Sequence, residues 1–109
     1  MDILSYVAAQ VVPGEEIERL SRIFMALGNP VRLRILSLVS SSQRPLHIRG
    51  VARLLKTRYA ITYKHVKTLQ EAGLVTIYEV GRSRVVAPKH PELFRKVALF
   101  GKEITSMNK

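Results

Sequence analysis

The sequence predicts a mainly α-helical domain that carries one small β-hairpin. Apolar residues recur at helical spacing through most of the chain, and the period shortens to two between Leu74 and Ala87. Proline and glycine stand where each periodic pattern stops. With 109 residues, of which 47% are hydrophobic, the chain suits a single domain, residues 1–109, with a core of its own.

Residues 2–12 and 15–27 are predicted to form the first two helices. Asp2 is the predicted N-cap of the first helix, and Pro13-Gly14 stops it. Three glutamates open the second helix, where the helix dipole favours negative charge. The apolar stripe of the second helix consists of Ile17, Leu20, Phe24 and Leu27.

The third predicted helix begins at Asn29-Pro30, an N-cap residue followed by proline at the first helical position. The polar run Ser40–Gln43 is expected to break this helix. Residues 44–46 are predicted to be a short extended connector. Apolar spacing over residues 48–55 indicates a short fourth helix, with His47 at its N-cap position.

After a tight link at residues 56–58, Tyr59 to Ala72 are predicted to form the fifth helix. Gly73 is its predicted C-terminal cap. The predicted inner face of this helix consists of Thr62, Val66 and Leu69.

Residues 74–80 and 84–87 are predicted as two strands joined by the turn Gly81-Arg82-Ser83, and Pro88 ends the hairpin. A last helix is predicted over residues 91–107, with Pro91 at its first position. The apolar stripe of this last helix consists of Leu93, Val97, Phe100 and Ile104.

Composition excludes several classes of function. The chain has no cysteine, which removes disulfides, zinc–thiolate sites and thiol nucleophiles. It has no paired-carboxylate, Ser-His-Asp or phosphate-loop signature, so we expect neither an enzyme nor a cofactor. It has no apolar run of membrane-spanning length and no visible targeting segment, so we expect a cytoplasmic protein with no membrane partner.

The distribution of charge points to a polyanionic partner. Eighteen Lys and Arg against eight Asp and Glu give a net charge of +10. From Arg19 to Gln70 there is no acidic residue, while eleven basic residues occur. A field of one sign over half of a domain attracts nucleic acid. A merely soluble basic protein is the alternative on charge alone.

The order of the predicted elements is that of a winged helix-turn-helix with extra terminal helices. In that arrangement helix 59–72 is the recognition helix and enters the DNA major groove. The hairpin, residues 78–87, is the wing on the backbone or minor groove. The predicted DNA-binding residues are Arg49, Arg53, Arg58, Tyr59, Tyr63, Lys64, Lys67, Arg82 and Arg84.

Simpler interpretations exist for parts of this set. The tyrosines, Tyr59 and Tyr63, could instead pack in the core. The arginines of the hairpin tip, Arg82 and Arg84, are predicted to share one face of a strand, but the tip could be a solvated turn.

Two fragments carry a resemblance to a known family. The stretch Ala26–Leu36, ALGNPVRLRIL, is similar to the opening signature of ArsR-type winged-helix regulators. The stretch Lys64–Val75, KHVKTLQEAGLV, resembles the end of their recognition helix and the first wing strand. The resemblance covers roughly residues 17–98. It implies a dimeric prokaryotic repressor whose outermost helices form the dimer interface.

The chain departs from the metal-sensing members of that family. It has no cysteines on the fourth helix, and single histidines in separate segments do not make a metal site, so no metal is expected. His47 and His90 are interpreted as helix caps, and His65 as a half-buried packing residue.

A homodimer is also expected from hydrophobicity. The helices within residues 1–14 and 90–107 carry apolar faces beyond what a winged helix needs, and pairing them would bury a large patch. The alternative is that both helices fold back on their own domain. The predicted interface residues are Ile3, Leu4, Val7, Val11, Leu93, Val97, Phe100 and Ile104.

Two other functions remain open at this point. A sequence-indifferent chromatin or RNA-binding protein would use the same acid-free half of the chain. A winged-helix protein-interaction module is the third hypothesis, since such domains also serve as subunits of larger assemblies.

Overall fold

The computed structural model describes residues 2–109, which form six helices and one three-stranded sheet. The helices are α1 (Ile3–Gln10), α2 (Gly14–Leu27), α3 (Pro30–Ser41), α4 (Ile48–Leu54), α5 (Tyr59–Glu71) and α6 (Leu93–Met107). The strands are β1 (Leu46–His47), β2 (Val75–Val80) and β3 (Ser83–Pro88). The predicted mainly α-helical class is confirmed.

The sheet is antiparallel in the order β1-β3-β2, and it contains a strand that the sequence did not predict. Leu46 and His47, expected to be a connector and a cap, pair with Val86 and Val85 of β3. The side chain of His47 makes no capping hydrogen bond. Two residues are too few to show a period, so only the pairing itself reveals β1.

The β2–β3 turn is shorter than predicted. Val80 pairs with Ser83, so Gly81 and Arg82 alone form the turn and Ser83 belongs to β3. Gly81 has a φ of 62°, a conformation that favours glycine. Glycine at the first position of a two-residue hairpin loop matches the right-handed twist of the strands.

The core lies between α3, α4, α5 and the hairpin. Ile35, Leu36 and Val39 of α3 are fully buried, and so are Val66 and Leu69 of α5. Thr62, the third residue of the predicted inner face, is also buried. Its hydroxyl donates to the Arg58 carbonyl at 3.0 Å, so it leaves no unpaired polar group.

Three predicted caps are present. The Asp2 carboxylate accepts from the backbone N–H of Ser5 at 2.7 Å. The Asn29 side chain accepts from two backbone N–H groups at the start of α3, at 2.9 and 3.1 Å. Gly73, with a φ of 80°, follows α5, and the N–H groups of Gly73 and Leu74 bond back to the carbonyls of the last turn.

Other predicted boundaries were wrong. Helix α3 continues through Ser41, whose hydroxyl folds back to the Ser37 carbonyl at 2.8 Å. Helix α6 begins at Leu93, so Pro91 is not its first residue, and the cap position is held by Glu92 rather than His90. Proline fits the turn before the helix because its φ is fixed there as well.

The terminal helices contribute little to the core, although Leu93, Phe94 and Val97 at the start of α6 pack against it. Neither α1 nor α6 buries a residue. The Cα radius of gyration is 17.3 Å, against about 13 Å for a compact domain of this length. Within residues 2–109 no single helix is long and apolar enough to span a membrane. Together, α2 and α3 reach that length and composition, but they are bent by 89° at the break between them.

Candidate nucleic-acid interface

A backbone motif at Lys56 sets the angle between α4 and α5. Lys56 has a φ of 56°, in the left-handed region, and its N–H bonds to the Arg53 carbonyl at 3.2 Å. The next N–H, of Thr57, bonds to the Ala52 carbonyl at 3.0 Å. These two bonds form a Schellman ending, with lysine in the position that glycine usually holds. They fix where α5 starts relative to α4.

The outward face of α5 is open to solvent. Arg58, Ala60 and Lys64 are exposed, and Lys67 is half-buried, with its ammonium donating to the Gln70 side chain at 3.2 Å. The sequence interpretation missed Ile61, which is 46% exposed on the same stretch of helix. Ile61 lies three residues before Lys64, and residues three apart share a helix face, so this spacing could have placed Ile61 on the outward face. An apolar side chain there suits contact with a thymine methyl group.

The two tyrosines of α5 lie between the outer face and the core. Tyr59 and Tyr63 are half-buried and pack against the core cluster. Their rings stack with centroids 6.0 Å apart and planes 11° apart. The guanidinium of Arg49 lies 5.4 Å from the Tyr59 ring centre, and that of Arg84 lies 4.6 Å from the Tyr63 ring centre. Through these contacts the stacked pair links α5 to α4, by way of Arg49, and to the wing, by way of Arg84.

Arg84 is held by several groups of its own chain. Its side chain approaches the carboxylate of Glu79, its register partner on β2, at 3.9 Å. The pKa of Arg84 is raised above its ordinary value, first by hydrogen bonding with Tyr59 and then by Tyr63. Arg82 lies in the turn rather than on β3, so its expected place on a strand was wrong, but Arg82 and Arg84 still line the same cleft.

A cleft of about 300 Å³ lies between the wing and the start of α4 and α5. Four arginines line it, namely Arg49, Arg53, Arg82 and Arg84, together with His47, Tyr59 and Ser83. Glu79 lines the pocket that adjoins this cleft, where its carboxylate approaches Arg84 at 3.9 Å, so the four arginines outnumber the nearby carboxylates. The cleft therefore presents concentrated positive charge beside the outward face of α5.

Arg32 belongs to the acid-free stretch but acts inside the fold. Its guanidinium donates to the carbonyls of Ala26 and Met25, at 2.6 and 3.0 Å, and lies 3.2 Å from Nδ1 of His65. Because guanidinium cannot accept a hydrogen bond, that nitrogen is the acceptor. Burial, and then the charge of Arg32, lower the pKa of His65. The predicted half-burial of His65 is confirmed.

We refer to the exposed apolar side chains of α1, α2 and α6 together as the apolar surface. Ile3 and Leu4 are both 78% exposed, and Val7 and Val11 are exposed with them. On α6, Phe100 and Ile104 are exposed, whereas Leu93 and Val97 pack half-buried on the core of the same chain.

Helix α2 adds to this surface, which the sequence interpretation missed. Its stripe residues Ile17, Leu20 and Phe24 are about half-exposed, and Phe24 lies 6.3 Å from Phe100, ring centre to ring centre. An amphipathic pattern shows that a helix covers something, but not whether its own chain or another supplies the cover.

No three His, Cys, Asp or Glu side chains in residues 2–109 group closely enough to hold a metal ion.

Solved structures share this arrangement. The homodimeric winged helix-turn-helix DNA-binding domain of Mb0332 from Mycobacterium bovis, described as a possible ArsR-family transcriptional regulator, aligns with a TM-score of 0.74 and 22% identity. The alignment covers 82% of this chain and 83% of that one. A transcriptional regulator homologue from Pyrococcus horikoshii OT3 aligns with a TM-score of 0.61 and 26% identity, covering 83% and 93%. HlyU from Vibrio cholerae N16961 aligns with a TM-score of 0.68 and 17% identity, covering 83% and 96%.

The protein is thus a winged helix-turn-helix domain, and the resemblance to ArsR-type proteins is confirmed at the level of the fold. Residues 28–90, more than half of the chain, match the model of the HVO_A0114 family, and the chain belongs to that family. The match begins just before α3 and ends just after the wing. Among curated proteins, none matches this sequence.

Proposed function

We propose that this protein is a sequence-specific, double-stranded DNA-binding transcription regulator that acts as a homodimer. The observation that carries the proposal is the exposed outward face at the start of α5, formed by Arg58, Ile61 and Lys64, which has no acidic residue and lies beside the four-arginine cleft. A major groove admits one α-helix, and the N-terminal part of that helix usually contacts the bases. Solved structures of this fold are described as transcriptional regulators.

Within this proposal the residues divide by role. Arg58, Ile61 and Lys64 face the base edges and the nearest phosphates, and Lys67 contacts a phosphate further along α5. Arg53 and Arg82 contact the backbone on either side of the cleft. Base contacts carry sequence preference, whereas phosphate contacts carry position and salt dependence.

The dimer is supported by the apolar surface of α1, α2 and α6. Three helices expose large apolar side chains, and α2 and α6 meet at Phe24 and Phe100; monomers rarely leave so much apolar surface uncovered. The large radius of gyration is also consistent with terminal helices that pack against a second protomer. A two-fold axis through this patch would present two copies of α5 to one face of a duplex, about one helical turn apart.

A dimer seated on a promoter would exclude polymerase, so repression in the cytoplasm, with no enzymatic step, is the proposed mode of action. The test is selection of bound fragments from random duplex DNA, followed by titration at several salt concentrations. A palindromic site is expected. Each phosphate contacted by both protomers would add about −1.8 to the log–log salt slope of the dimer. Equal affinity for every duplex, or preference for single strands, would overturn the proposal.

The oligomeric state is tested separately, by light scattering on a sizing column. Leu4→Glu and Ile104→Glu place a charge on the apolar surface and are expected to give monomers. Leu54→Glu is the matched control, because Leu54 is 65% exposed on α4, outside that surface. Dimers that survive both substitutions would contradict the assigned interface.

A further inference from the structure

We propose that the four-arginine cleft binds a single phosphodiester group of the DNA backbone, which α4 and the wing hold jointly. The inference rests on the proposed function and goes further, because it joins two elements at one phosphate. It predicts that Arg53 and Arg82, which are 29 positions apart in the chain, act on the same atom group.

The first support is electrostatic. Four arginines line a cleft of about 300 Å³, and the nearest carboxylate, Glu79, lines the adjoining pocket, where it approaches Arg84. Like charges brought together raise the energy of the free protein, and a bound anion relieves that repulsion. The single ion pair at this site, Arg84–Glu79, lies on the strands at 3.9 Å and leaves three cleft arginines without a carboxylate partner in residues 2–109.

The second support is preorganisation. Arg49 and Arg84 rest on the faces of Tyr59 and Tyr63, at 5.4 and 4.6 Å from the ring centres, and the two rings stack on each other. These contacts position two of the four cleft arginines before any ligand arrives. The other two cleft arginines, Arg53 and Arg82, are exposed and have no ion-pair partner in residues 2–109. The guanidinium fork matches a phosphate with two parallel hydrogen bonds, so two forks can share one phosphate from opposite sides.

The third support is position. The cleft includes Tyr59, the first residue of α5, so it lies at the end of the helix that would enter the groove. The backbone beside that helix end comes within reach of both α4 and the turn of the wing. A phosphate held there would fix the depth and the angle of α5 in the groove.

The experiment uses the full chain and the duplex recovered by selection, with single methylphosphonates placed in turn at each backbone position. A methylphosphonate removes the charge of one phosphate and leaves the bases unchanged. We expect one position per half-site at which affinity for the wild-type protein falls roughly tenfold. On the unmodified duplex, Arg53→Gln and Arg82→Gln each weaken binding. On the duplex modified at that position, both variants bind as tightly as the wild type.

Arg95→Gln is the matched control, because Arg95 lies on α6 and is 86% exposed. It should lose the same affinity as the wild type at every position. Two results would refute the shared phosphate and leave specific DNA binding intact. In the first, the effect of Arg53→Gln on affinity vanishes at one modified position and that of Arg82→Gln at another; in the second, neither effect vanishes at any position. If the wild type binds no duplex selectively, the proposed function fails as well. Arg53 and Arg82 are both exposed, so neither substitution should disturb folding.

Discussion

The stacked tyrosines of α5 make a prediction that separates a structural role from base recognition. Tyr63 is half-buried, stacks on Tyr59 at 6.0 Å and supports Arg84 at 4.6 Å. We expect its ring, rather than its hydroxyl, to position the wing against α5. Tyr63→Leu should then destabilise the fold, whereas Tyr63→Phe, which keeps the ring, should not.

The magnitude follows from the contacts that leucine cannot make. An offset-stacked aromatic pair contributes about 0.5–1.5 kcal/mol beyond buried area. The partial loss of buried ring surface adds about 0.5 kcal/mol. Tyr63→Leu should therefore lower the free energy of unfolding by about 1–2 kcal/mol, which lowers Tm by about 4–8 °C per kcal/mol. Tyr63→Phe should change it by less than about 0.5 kcal/mol.

The assay is urea unfolding, followed by circular dichroism at one fixed protein concentration because a dimer's stability depends on concentration. A double-mutant cycle of Tyr59→Leu and Tyr63→Leu should give a coupling of about 0.5–1.5 kcal/mol. Additivity of the two substitutions, or equal losses for leucine and phenylalanine at position 63, would refute the reasoning. In DNA binding, Tyr63→Leu should weaken all duplexes alike. A change in the preferred base at one position would instead make Tyr63 a base-reading residue.

Three further predictions concern single residues. Lys56→Gly should raise the free energy of unfolding by about 0.5–1 kcal/mol in thermal melting, because a φ of 56° strains lysine but not glycine; a loss of stability would contradict this. Asn29→Ala should lower the free energy of unfolding by about 1 kcal/mol, and Asn29→Asp should restore it, since the Asn29 side chain accepts hydrogen bonds from two backbone N–H groups. The pKa of His65 is lowered in the folded protein, so stability should fall as the pH drops through the ordinary value of 6.5, where the unfolded chain gains the proton first. His65→Gln should flatten this part of the pH profile, and an unchanged profile would exclude His65 as its source.

Local patterns were sufficient for much of the fold. Thr62, Val66 and Leu69 follow helical spacing, and all three are buried on α5. Asn29 before Pro30 predicts a helix start because both residues act through the adjacent backbone. These features depend on neighbours within four residues, so the sequence contains all the information they need.

Features that depend on distant residues were not predictable in the same way. Strand β1 exists because Leu46 pairs with Val86, forty positions along the chain. The approach of Arg84 to Tyr63 depends on the register of the hairpin and on how the wing folds back over α5. The start of α6 depends on how Leu93 and Val97 pack against the core. No local period encodes these contacts.

The net charge of +10 overstates the positive charge that would be available to the proposed DNA partner, because part of that charge is engaged within the fold. Arg32 holds the end of α2, and Arg84 is shared between Tyr63 and Glu79, so both positive charges have structural partners. Arg53 and Arg82 also line the cleft but have no such carboxylate partner in residues 2–109. Under the proposed function, phosphate binding in the cleft therefore depends on the guanidinium groups of Arg53 and Arg82, unpaired within residues 2–109, and on the tyrosines that hold Arg49 and Arg84 in place. It follows that a substitution at a tyrosine can weaken phosphate binding without removing any charge.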